Sequence, residues 1–194
     1  MTRDGGVNER LSMTIAAFDV HYWQDGCAAA AVLFSDYSDA EPTATYAQFL
    51  SGAADYIPGE FYRRELPCIL ALLKQIKEAL NEMVIDGYVM LGNRPGLGQY
   101  LFKCFDSKIP VVGVAKSKFR GSSGAEVFRG GSIHPLYVTS AGVDLQKASE
   151  RIRTMHGAHR IPTLLKRVDL LAREKAQQIT KGYHHGYSDK KTVN

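Results

Sequence analysis

Long apolar runs are missing from this chain. No stretch approaches the roughly 18–20 apolar residues that a membrane-crossing helix needs, and the amino terminus, MTRDGGVNER, is polar where a secretory signal has its apolar core. The expectation is a cytoplasmic protein without membrane contact. Cysteine is scarce. Cys27, Cys68 and Cys104 are odd in number, far apart, set among apolar neighbours and outside any CxxC or Cys/His cluster, which reads as buried free thiols rather than zinc ligands or disulfides. His21, His134, His156 and His159 show no metal-ligand spacing. Gly92, Gly96 and Gly98 in GNRPGLGQ lack the Lys-Ser/Thr pair of a P-loop and the third glycine of a dinucleotide fingerprint. Neither sign of charge dominates, and a formal net charge of +4 permits a polyanionic partner without requiring one.

What is present is the balance of a globular chain, 45% hydrophobic and 23% charged over 194 residues, enough for one core of ordinary size. MTIAAFDV (13–20) and GCAAAAVLF (26–34) read as two strands joined through Asp25-Gly26, a good hairpin pair, and TATYAQF (43–49) as a weaker third. Apolar residues recurring three and four apart from Glu60 to about Asn81 predict an amphipathic helix with Glu65 in its early turns. MVIDGYVML (83–91) and IPVVGVAK (109–116) read as buried strands around a helix at 96–105. After a Gly/Ser-rich loop come short strands near 125–129 and 133–139 and helices over 144–156 and 163–180, the second started by Pro162. Three antiparallel strands leading into alternating strands and helices give an α/β fold, a mixed sheet with helices on both faces. The boundaries expected are an N-terminal extension at 1–12, one folded domain at 13–181 and a mobile tail at 182–194.

Asp19 ends the first strand run, Asp86 ends the fourth, and Glu65 sits on the helix between them. If the two strands are neighbours, the carboxylates converge at one sheet edge, where mutual repulsion favours a divalent cation. Oxygen donors of this kind suit Mg²⁺ or Mn²⁺. Each residue also has an ordinary reading: Asp86-Gly87 as a turn pair, Arg64-Glu65 as a helix-surface pair, Asp19 as a cap. Lys116 ends a buried strand, where it neutralises a phosphate, steadies a carboxylate or faces water. Tyr56 precedes Pro58-Gly59, a turn that presents its ring for stacking on bases or packs it underneath.

FDVHY (18–22), YIPGEFYRRELP (56–67), VIDGY (84–88), IPVVGVAK (109–116) and RIPTLLKRVDLLAR (160–173) together resemble the endonuclease V family of deaminated-base repair nucleases, in order and approximate spacing, over about residues 13–175. The resemblance implies a ribonuclease H-like fold and a Mg²⁺-dependent endonuclease, with Mn²⁺ as substitute. It assigns metal binding to Asp19, Glu65 and Asp86, a place near the scissile phosphate to Lys116, and a wedge and lesion pocket to Tyr56, Ile57, Pro58, Gly59 and Gly87. The implied substrate is DNA or RNA carrying hypoxanthine, cut one nucleotide 3′ of the lesion to leave a 3′-hydroxyl and a 5′-phosphate. A monomer is the default. Two departures stand out. Tyr88 and Val89 replace residues of the family's DGHG-type segment, and the family's S-x-G-H, whose His assists the metal, is here TSAGVDL (139–145), with Asp144 or a water as the candidate substitute. The rival reading is a weak or inactive relative that binds damaged or structured nucleic acid; a small-molecule α/β enzyme would leave YIPGEFYRRELP to coincidence.

Overall fold

The computed structural model describes residues 13–23, 26–51 and 62–186, with side chains as far as Gln178. The expected extension at 1–12, the YIPG turn and residues 187–194 lie outside the described residues. Three strands open the chain, β1 (Ile15–Trp23), β2 (Gly26–Phe34) and β3 (Ala44–Ser51), followed by α1 (Tyr62–Leu73) and β4 (Glu82–Asp86). A small hairpin, β5 (Met90–Leu91) and β6 (Arg94–Pro95), leads to α2 (Leu97–Cys104) and β7 (Val111–Ala115). The remainder is β8 (Ala125–Val127), β9 (Leu136–Ala141), α3 (Leu145–Thr154) and α4 (Thr163–Gly186). The large sheet has seven strands in the order β3-β2-β1-β4-β7-β9-β8. β1, β4 and β7 run parallel and the outer strands antiparallel. This is the expected ribonuclease H-like mixed sheet.

Strand alternation sorts the core into two layers. Ile15, Ala17, Val84, Val112 and Val114 point to one face, where α3 and α4 pack. Ala16, Phe18, Met83, Ile85 and Val111 point to the other, under α1 and α2. With both faces covered, β2 is buried along its whole length, and its run of alanines lets helices approach closely from either side. α4 offers Leu164, Val168, Ala172 and Ala176 at intervals of four, all buried. Burying a leucine or valine there contributes roughly 1.5–3 kcal/mol each.

Four expectations change. The helix expected to reach Asn81 ends at Leu73. Gln75 and Ile76 tighten the last turn through bonds to the Leu72 and Leu73 carbonyls, and the Gln75 amide reaches Gln48 on β3. Ile76 and Leu80, which extended the periodicity, pack on the core from a loop instead. The strand expected over 83–91 breaks after Asp86, because Gly87 takes φ +137°, a left-handed conformation that turns the chain away. The cysteines are not all free. Cys27 and Cys68 face each other in the layer between β2 and α1 and form a disulfide, with Cα atoms 7.1 Å apart, whereas Cys104 is exposed. Sequence separation gave no hint of that meeting. Among the described residues no helix is long and apolar enough to cross a membrane. α4 continues as helix to Gly186, into the stretch expected as tail.

At the end of the sheet away from the Asp86 terminus of β4, Glu82 is only 2% exposed and accepts hydrogen bonds from the Tyr37 hydroxyl and the Arg151 guanidinium. A buried carboxylate is tolerable only when paired in this way. Arg151→Met should therefore cost about 3–5 kcal/mol, the usual result of orphaning one partner of a buried pair. Urea unfolding would show this as a lower midpoint at unchanged slope, and a loss under about 1 kcal/mol would assign the pair to the exposed class.

Candidate active site

The parallel register between β1 and β4 decides the site. Ala17 pairs with Val84 and Phe18 with Ile85, so Asp19 and Asp86 stand next in line on adjacent strands. Both share the parity of Ala17 and Val84 and project toward the α4 layer. Lys116 follows Val114 with the same parity, directly after β7. Asp86 and Lys116 stand at the carboxyl ends of β4 and β7, where α/β sheets commonly place their ligands, whereas Asp19, expected to end its strand, sits in mid-strand where the pairing of β1 with β4 stops and β1 runs on to Trp23. Glu65 arrives from the opposite layer on the first turn of α1. Together they line an open cleft of about 570 Å³.

A fourth carboxylate enters from α4. Asp169 lines the same cleft and shares a hydrogen bond with Asp19. Arg173, one helical turn on, donates from Nε and Nη2 to the two Asp169 oxygens at 3.1 and 3.0 Å. Both residues lie in RIPTLLKRVDLLAR, where nothing in the local pattern beyond their i, i+4 spacing beside the buried stripe sets them apart as site residues. Asp144, the candidate substitute for the family's His, is not brought to the cleft. It is the N-cap of α3, its carboxylate accepting from the Lys147 amide at 2.9 Å, which is what an Asp before a helix commonly does. Tyr56, Ile57, Pro58 and Gly59 lie outside the described residues.

Neighbouring groups hold the walls in place. Gly87 lines the cleft, and its amide donates to the Val114 carbonyl at 3.1 Å. The Val89 amide donates to the Thr139 hydroxyl at 2.9 Å. Gly113 is required beneath this crossing, since a Cβ there would come within 2.6 Å of the Gly87 carbonyl oxygen. The TSAGVDL segment thus supports the Asp86 loop through Thr139. Tyr88, a departure from the family pattern, donates to the Ser117 carbonyl at 2.7 Å and accepts from the Phe119 amide at 2.9 Å, tying down the chain after Lys116. Arg64 lays its guanidinium on the Tyr22 ring, 4.0 Å from the centroid. His21 lines the cleft as well.

Electrostatics follow from the crowding. Burial, then the charges of Asp86 and Asp169, push the Asp19 carboxyl up to about 7. Burial, then Asp19 and Asp86, push Glu65 up to about 8. Against the upward push of burial, the Arg173 fork and the bond with Asp19 hold Asp169 below the ordinary aspartate value. Against the downward push of burial, the bond to Asp86 at 2.6 Å raises the Lys116 ammonium. Among the described residues no three His, Cys, Asp or Glu side chains close tightly enough to enclose an ion by themselves. An open set of oxygen donors fits Mg²⁺, which keeps several waters and takes one or two carboxylates, better than a fully dehydrated ion. The donor chemistry therefore fits a hydrated divalent cation.

The family model for Endonuclease V matches residues 2–161. The chain belongs to the endonuclease V family. An endonuclease V of Nostoc punctiforme is 26% identical over 184 residues, covering 83% of this chain and 82% of the relative. The crystal structure of endonuclease V from Streptomyces avermitilis superposes with a TM-score of 0.74 at 25% identity, covering 87% of this chain and 83% of that one. Endonuclease V of Ciona intestinalis, in complex with a 24mer DNA containing an inosine followed by a ribo-adenosine, matches in fold with a TM-score of 0.74 at 16% identity, covering 86% and 87%. Membership of the endonuclease V family makes the chain a nuclease, with its carboxylate cleft at the sheet edge.

The raised carboxyls fix a sign for pH dependence. Unfolded, Asp19 and Glu65 release their protons near pH 4; folded, they keep them to about 7 and 8. The folded state binds more protons across that window, so stability falls as pH rises from about 4 to 8. Melting of the metal-free chain should show this fall, and Glu65→Gln should flatten it. A melting temperature rising through the same window in the parent would contradict the crowding.

Proposed function

We propose that the protein is a divalent-cation-dependent endonuclease that hydrolyses a phosphodiester bond beside a deaminated base, hypoxanthine above all, in DNA or RNA. The observation that supports this most is the gathering of Asp19, Glu65, Asp86 and Asp169 with Lys116 in one cleft of a chain from the endonuclease V family. The inosine-containing DNA bound by the Ciona relative supports the choice of lesion.

Asp19, Glu65, Asp86 and Asp169 would together hold a hydrated Mg²⁺ ion, one or two carboxylates binding it directly and water taking the remaining positions. When bound, the ion supplies Lewis-acid polarisation of a phosphoryl oxygen and offsets transition-state charge. Lys116 can turn its ammonium from Asp86 to a non-bridging phosphate oxygen, adding a charge-assisted hydrogen bond. Water adds to phosphorus, the bond from phosphorus to the 3′ oxygen breaks, and that oxygen takes up a proton. The products are a 3′-hydroxyl and a 5′-phosphate. The glycine at 87 leaves the wall beside Asp86 without a side chain, so a base can approach the backbone closely. The missing family His lent weight to a binder that does not cut, and Asp169 in the cleft supports the cutting reading instead.

The test uses end-labelled strands with one hypoxanthine, as DNA and as RNA, incubated with Mg²⁺ and the parent or Asp86→Ala. Expected is a cut one nucleotide 3′ of the lesion by the parent and a loss of at least ~100-fold in the variant, the scale of removing a key electrostatic stabiliser. Binding should weaken steeply with salt, because phosphate contacts release counterions. Salt-sensitive binding by the parent without cleavage of either strand would replace this reading with a non-catalytic one.

A further inference from the structure

α4 runs past the cleft with Val168 and Ala172 buried against the sheet. Asp169 and Arg173, each one position further along, therefore stack on the flank of that stripe, one turn apart, and both line the cleft. Arg173 occupies both oxygens of Asp169, one nitrogen to each, at 3.1 and 3.0 Å. A two-point fork fixes the plane of a carboxylate, which a single hydrogen bond does not. The carboxylate so fixed meets Asp19, a group of the same charge type that would otherwise drive it away from the cleft toward water. As a helix ornament the pair adds little, since exposed pairs at this spacing are weak. Its geometry makes sense as orientation.

We propose that Arg173 is a positioning residue, whose fork holds Asp169 turned toward Asp19 so that an incoming divalent cation meets a preset fourth carboxylate. The inference rests on the cation-dependent reading above. Partners that orient a metal-binding side chain typically change metal affinity ~10–100-fold when removed. A lysine in place of Arg173 keeps the charge but loses the fork, and is not equivalent at a two-point site.

The measurement is Mn²⁺ binding by calorimetry to the full chain, without nucleic acid, for the parent, Arg173→Ala, Arg173→Lys, Asp169→Asn and the Arg173→Ala/Asp169→Asn double variant. Arg173→Ala should weaken Mn²⁺ at least ~10-fold, with Arg173→Lys between it and the parent. If Arg173 acts through Asp169, the alanine change has no further effect once Asp169 is asparagine. Metal-free melting of each variant confirms that the fold is intact, and the lysine variant serves if the alanine one is not. Equal Mn²⁺ affinity in Arg173→Ala and the parent, or an equal loss with and without Asp169, overturns the proposal. A raised KM for nucleic acid at unchanged Mn²⁺ affinity also overturns it, by making Arg173 a direct phosphate contact. A parent that cleaves and binds Mn²⁺ while Arg173→Ala matches it sinks this inference alone; a parent that binds no Mn²⁺ sinks the cation-dependent reading with it.

Discussion

The parallel pairing of β1 with β4 is the constraint on which the rest of the site depends. A slip of one residue in either strand would send its aspartate to the other helical layer, and Asp19 and Asp86 would no longer share a face. The pairing is secured by what lies on both sides of it. Ile15, Ala17 and Val84 are sealed under α4 and α3, and Ala16, Phe18, Met83 and Ile85 under α1 and α2. The same apolar pattern that makes the sheet a two-sided core thus fixes the height and direction of two acidic groups at its rim.

That rim concentrates negative charge in partly buried surroundings, and the fold answers with two cations placed asymmetrically. Lys116, one residue past β7, contacts Asp86, while Arg173 holds Asp169 from outside the carboxylate cluster. Lys116 and Arg64 pull only weakly on Asp19 and Glu65, and these are the carboxyls pushed to about 7 and 8. The cleft is left with uncompensated acidic charge on the side of Asp19 and Glu65.

Much of this was legible from the chain. The apolar runs before Asp86 and Lys116 marked where β4 and β7 end, whereas β1 continues past Asp19 to Trp23; β1 and β2 form the expected hairpin, with Asp25 outside the described residues. The extent of α1 was not legible, because Ile76 and Leu80 continue a helical spacing while serving a loop anchored to β3. Asp169 and Arg173 were hidden for another reason. Helical periodicity tells which stripe is buried, but the identity of what faces the next residue over depends on how α4 crosses β1. Asp144 misled because its local role, capping α3, is satisfied by the Lys147 amide a few residues away, with no need of the cleft. The Cys27–Cys68 bridge escaped since nothing local in either segment refers to the other.

Glu65 reaches the cleft from one helical layer and Asp169 from the other. The two layers are separated by the sheet, and α4 is the last element of the described chain. During synthesis, when segments emerge from the amino-terminal side first, Asp19, Glu65 and Asp86 are made before α4, the helix that seals the face of the parallel strands carrying both aspartates. The full set of four carboxylates is completed only when that last helix docks. The order of the chain thus leaves the four-carboxylate cleft open on one side until α4 has been made and packed.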